Sequence, residues 1–296
     1  MSTHNCALHT HARKRAYDPT RTTLLRTKFE AEMLRRFRKL RSQIIDMVDK
    51  QDCFGLRERG IIRVHDRNFA FGNDAQKIAA FMQWLKQQQQ AGVLEVRRGA
   101  PVSTSASRAW TDVYIESAYQ KGVAQAGGEL GKAGVEVSDR WIDSSFNRPV
   151  HADRVGLLFT RTYSDLEGVT EAMDRQISRV LAQGMIDGRG PREIARELAD
   201  RVDKIGITRA RVIARTEIIS AHHQATINSY KEAGVEGVEI VAEFSTAGDG
   251  NVCPECESLN GKQFTIDEAQ SLIPVHPNCR CTSLPKVISV AGIRLE

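Results

Sequence analysis

At 296 residues, 41% hydrophobic and 27% charged, the chain can bury one large core or two modest ones and has an ordinary globular composition. No apolar run approaches the roughly 20 residues that span a bilayer, and Met1 to His11 lacks the apolar core of a secretory signal, so a reducing cytoplasm is expected and clustered cysteines there read as metal ligands. The net charge of +5 is uneven: residues 1–50 hold 12 Lys/Arg against 5 acids, or +7, which leaves −2 for the rest.

Residues 1–19 read as a polar arm ending at Asp18-Pro19. Thr20 to Lys50 is predicted helical, because Leu25, Phe29, Met33, Phe37, Leu40, Ile44 and Val48 recur every three or four residues. So long an apolar stripe must lie on the protein's own body or on a partner. The basic residues Arg13, Lys14, Arg15, Arg35, Arg36, Arg38, Lys39 and Arg41 suit contact with DNA phosphates or an acidic protein surface. The plainer reading is a solvated helix face.

A weakly alternating strand is expected over Gly60 to Phe71, and Asn73 caps a helix to about Gln90. Val93 to Arg97 suggests a short strand, and Ser103 to Ala126 a helix broken by the glycines of Gly127 to Gly134. Asn147-Arg148-Pro149 marks a turn and a boundary between regions 1–150 and 151–296. Ser164 is placed as the cap of a helix carrying Leu166, Val169, Met173, Ile177 and Val180. Pro191 opens a short helix, Thr208 begins a long one to about Ala233, and Val238 to Phe244 alternates as a strand. The fold class is therefore α+β: mostly helical, with a small C-terminal β-containing module, stapled by zinc.

The chemistry concentrates in that tail. Cys253-Pro254-Glu255-Cys256 is followed by His276-Pro277-Asn278-Cys279-Arg280-Cys281. Zinc takes four N/S ligands tetrahedrally, so five donors in two proline-stiffened turns are one too many. The favoured set is Cys253, Cys256, His276 and one of Cys279 and Cys281. A metal-free cluster of small buried thiols is the bland alternative, as is a disulfide formed only outside the cell. An ion so held has no open position, so its role is structural.

In the long helix, Glu217 shares a small-residue face with Ala210, Ala214, Ala221 and Ala225, and needs a partner if buried. Arg211 or a backbone N–H is expected to supply it, and Arg215 and Glu217 are read as a structural polar anchor. His222 and His223, about 100° apart on a helix, cannot share a metal and read as surface or packing residues. Cys6 and Cys53 read as plain thiols. No phosphate loop, dinucleotide turn or Ser/His/Asp signature is present, and no catalytic residue is assigned.

Taken in order, Arg215-Thr216-Glu217, the Val238 to Phe244 strand, Thr246 to Asp249, Cys253 to Cys256, Leu259 to Gly261 and His276 to Cys281 resemble the C-terminal domain of the phage Mu F-like head morphogenesis family. The resemblance covers roughly Tyr163 to Val287. It departs at Phe244, where many members have Trp. It implies a non-enzymatic minor capsid protein of the virion, at the head interior or portal vertex, made in the host cytoplasm. The implied partners are the portal protein, major capsid or scaffolding protein, and packaged DNA bound without sequence preference; roles in packaging and genome ejection go with them. A zinc-supported DNA-binding protein or nuclease is the alternative, although no His-Asn-His-like spacing with a free base is present. A small ADP-ribosyltransferase is weaker, since no paired Glu-x-Glu follows a Ser-Thr-Ser strand.

Overall fold

The computed structural model describes residues 18–57, 74–98, 107–135, 137, 148–235, 238–290 and 293–294. Arg13, Lys14, Arg15, Cys6 and the strand expected over Gly60 to Phe71 lie outside them. In chain order the elements are α1 (Thr23–Ile45), α2 (Asp74–Gly92), β1 (Val96–Arg98), β2 (Ser107–Ala109), α3 (Asp112–Lys132), α4 (Pro149–Ile186), α5 (Pro191–Arg201) and α6 (Thr208–Val235). Then follow β3 (Val238–Ser245), α7 (Pro254–Leu259), β4 (Gln263–Phe264), α8 (Ile266–Ala269), β5 (Thr282–Val290) and β6 (Ile293–Arg294). π-helical segments extend α1 over Asp46–Lys50 and join α5 to α6 over Val202–Ile207. The mostly helical, small-sheet fold class is borne out. No described helix is long and apolar enough to cross a membrane.

Two compact units interleave along the chain. The first comprises Met1–Phe29, Thr111–Thr162 and Val212–Glu296; the second comprises Glu30–Trp110 and Tyr163–Arg211. This division follows packing, whereas the split at residue 150 follows the turn at Asn147-Arg148-Pro149.

In the second unit the α1 stripe is spent inside the chain. Met33, Phe37, Leu40, Ile44 and Val48 are all at most 1% exposed. The stripe is thus not a surface awaiting a partner, which corrects that half of the expectation. Phe37 lies against Gly206, where a β-carbon would come within 2.5 Å of the ring. The π-segment delivers that glycine, which has no side chain to register in an apolar pattern. Phe54 packs on Phe81 at 5.4 Å between centroids.

In the first unit α3 starts later than expected and runs through Gly127, Gly128 and Gly131 to Lys132. Each glycine costs about 1 kcal/mol relative to Ala. The helix persists because Ala126 and Leu130 are buried with Ile227, Tyr230, Ala233, Ile240 and Ala242. It stops at Gly134, in the left-handed region (φ 88°), where the Val135 N–H donates to the Leu130 carbonyl. Gly122 lets α3 approach α6, since a β-carbon there would sit 2.3 Å from the His222 carbonyl oxygen. α4 begins at Pro149, fifteen residues before the cap expected at Ser164, with proline in its first turn.

The larger sheet has the order β4-β3-β5-β6, all antiparallel. Ile240, Ala242 and Phe244 on β3 are buried while Glu239 is exposed, the period-two pattern of a half-covered strand. Ser245 pairs with Thr282, so the exit of β3 and the entry of β5 meet, one residue after Cys281.

Candidate metal centre

Cys253 is the N-cap of α7: its sulfur accepts the Cys256 N–H at 3.4 Å, and Pro254 occupies the first turn. That cap turns both cysteine side chains to one side. Facing them is His276, whose Nδ1 lies 2.8 Å from the Pro277 carbonyl and therefore carries the proton. Its Nε2 then presents a lone pair, 3.1 Å from the sulfurs of both Cys253 and Cys256.

The second turn closes through the Cys279 N–H to the His276 carbonyl (3.1 Å), with Asn278 in the left-handed region (φ 65°), which Asn tolerates. The Cys256 and Cys279 sulfurs are 4.0 Å apart. Two overlapping donor groups result, Cys253/Cys256/His276 and Cys256/Cys279/Cys281, with the ligand atoms of each within 4.8 Å of one another. Either group can hold a metal ion, and Cys256 belongs to both. Cys256, Cys279 and Cys281 are nearly inaccessible. Their thiols share hydrogen bonds: those from Cys256 and Cys281 hold Cys279 far below the ordinary thiol range, and the bond to Cys279 pushes Cys256 up. A cation in their midst favours deprotonating the rest.

The surroundings fix these donors. Arg280 makes a two-pronged ion pair with Asp249 (2.7 and 2.6 Å). On α6, the Thr216 hydroxyl accepts the Asn278 N–H at 3.2 Å, tying the His276–Cys281 turn to the helix. Ile219 of the same helix packs with Phe244, Ile273 and the buried cysteines.

Glu217 is buried, as its small-residue face requires, but its partner is Arg161, which grips both carboxylate oxygens at 2.7–3.0 Å; the Thr162 hydroxyl adds a bond at 3.3 Å. The expected Arg211 pairs with Glu30 instead. Reading α4 from Ser164 hid Arg161, three residues upstream. Arg215 is half-buried. His222 and His223 are fully buried, not surface residues. His222 Nε2 meets Gln125 at 3.1 Å, and His223 Nε2 meets the Ala269 carbonyl at 2.8 Å. Burial depresses both, to about 3 and about 4 respectively, so both are neutral at pH 7.

Of the basic residues, Arg35, Arg38 and Lys39 are exposed, with Arg35 also bonded to Glu32. Arg41 pairs with Asp203. Arg36 is 5% exposed, bonded to Glu32, Glu95 and the Gly92 carbonyl, and lies 4.3 Å from the Trp110 ring centre; it is a structural residue, not a free contact. One buried network was missed altogether. Tyr119 OH lies 2.7 Å from His151 Nδ1 and accepts from Asn228 at 2.9 Å, and His151 Nε2 is 3.1 Å from Glu232. Its members are scattered over α3, α4 and α6, without a local pattern.

Fold and site together define a helical protein whose small terminal sheet carries a Cys/His knuckle braced against a long helix. Residues 175–284 match the family described as phage Mu protein F like protein. The resemblance carried by the motifs is therefore borne out over that segment, which spans the whole of α6, β3, β4 and the knuckle and ends in the first residues of β5. No curated protein and no solved structure matches the chain.

Proposed function

We propose that this protein is a phage minor head component acting in head morphogenesis at the portal, with roles in DNA packaging or ejection and without enzymatic activity. The observation that carries the reading is the family match over residues 175–284. The expected partners are the portal protein and major capsid or scaffolding protein, and the expected location is the virion. Residues 1–150 supply assembly contacts and 151–296 the family module. With the α1 stripe buried, the assembly contact falls on other apolar side chains of that region; Leu24 and Val113, 67% and 59% exposed, are the places to test. Non-specific contact with packaged DNA draws on Arg35, Arg38 and Lys39, and on Arg13, Lys14 and Arg15. Co-expression with the portal protein of the same genome and purification of heads tests the reading. The chain should co-purify with portal rings and be present in heads; its absence from both overturns the proposal.

Within that function the knuckle binds one structural zinc through Cys253, Cys256, His276 and one of Cys279 and Cys281. The donor chemistry fits: soft thiolates and an imidazole with its tautomer already set. When bound, the ion crosslinks α7 to the turn before β5. Elemental analysis of reduced protein should find near one zinc per chain.

A further inference from the structure

The five donors outnumber the four positions of a tetrahedral ion, and the surroundings separate the two contenders. Between the exit of β3, the α7 cap and the turn before β5 lies a cavity of about 10 Å³, room for a single ion or water. Among its lining residues are Cys253, Cys256, His276 and Cys281, together with Asn278 and Arg280, but not Cys279. Cys279 is 1% exposed and packs with Ile219 and Phe244. Asn278, which also lines the cavity, adds a second sign of an occupant: its buried Oδ1 has no hydrogen-bond partner.

We infer that the fourth ligand is Cys281, so the centre is Cys253, Cys256, His276 and Cys281, while Cys279 is a buried outer thiol beside Cys256. The assignment rests on the zinc reading above. Three thiolates and a neutral imidazole around a divalent ion leave one net negative charge. The Arg280 guanidinium, opposite in sign to that charge, lies on the same cavity wall, where its Asp249 partner holds it in place. Cys281 suits the task mechanically as well, since it directly precedes β5, whose pairing with β3 fixes its backbone. Cys279 sits inside the turn.

The test uses the full-length chain, purified under reducing conditions, with zinc measured by elemental analysis and cobalt(II) substituted to read thiolate number from charge-transfer absorption. Cys279→Ala should keep near one zinc per chain and the wild-type cobalt spectrum. Cys281→Ser should lose at least half of the zinc. Cys281→His, which restores a ligand, should regain zinc while its cobalt charge-transfer band falls by about a third. Loss of zinc or of a third of that band in Cys279→Ala overturns the assignment, as does full zinc in Cys281→Ser; in either case zinc in the wild type leaves the broader reading standing. A wild-type chain without zinc overturns both.

Discussion

The two compact units are held together by different means. Of the twenty buried polar side chains among the described residues, seventeen lie in the first unit and only Arg36, Gln89 and Thr170 in the second. The second unit is therefore an apolar core, tolerant in its chemistry and strict in its volumes. The first is specified by pairs that must each be satisfied: Glu217 with Arg161, Tyr119 with His151 and Asn228, and His223 with the Ala269 carbonyl. An apolar core fails when its volume or polarity is changed. A polar one fails when a partner or a proton is changed.

The largest effect expected is in the apolar unit. Phe37→Glu buries a charge where no partner waits and should cost well over about 4 kcal/mol. Circular dichroism should show loss of helix and of a cooperative transition. Gly206→Ala, which drives a methyl into the Phe37 ring, should cost about 1–3 kcal/mol in the urea midpoint. Wild-type stability in both would mean that α1 does not pack as described.

Chelation should discriminate between the units. Cys256→Ser removes the sulfur common to both donor groups and should abolish metal binding. Hydrogen exchange should then accelerate around Phe244 and the 253–281 segment and stay unchanged around Phe54 and Phe81. Equal acceleration in both would erase the distinction.

Acid should likewise act on the first unit. His222 and His223 titrate at about 3 and about 4 when folded but near 6.5 when unfolded, so the unfolded chain binds more protons below pH 6.5. Their stabilisation is full above that pH and declines as pH falls toward 4, by on the order of 1–2 kcal/mol per histidine between pH 7 and pH 5. Denaturant midpoints in His222→Gln and His223→Gln should show a shallower decline than wild type; an identical decline would acquit the histidines.

Single polar deletions are the mildest probes. Glu217→Gln breaks the charged pair with Arg161, whose side chain is 46% exposed and can rehydrate, so about 1–2 kcal/mol is expected. Tyr119→Phe strands Asn228 and His151 and should cost about 1 kcal/mol. Thermal melts would resolve both, and a cost above that of Phe37→Glu would invert the comparison.

The sequence by itself determined what is local and periodic. The α1 stripe, the β3 alternation, Pro191 opening α5 and the two Cys/His turns repeat within a few residues, and backbone geometry fixes how such patterns present their side chains. It also carried the family motifs in order. Tertiary structure decided what depends on residues far apart. It gave Glu217 to Arg161 rather than Arg211, carried α3 through Gly127, Gly128 and Gly131 because Leu130 is buried, and turned Arg36 and the histidines inward. It also set Cys281, not Cys279, on the cavity wall. In each case burial and pairing across elements outweighed a local preference worth about 1 kcal/mol, and no window of neighbouring residues contains both members of such a pair.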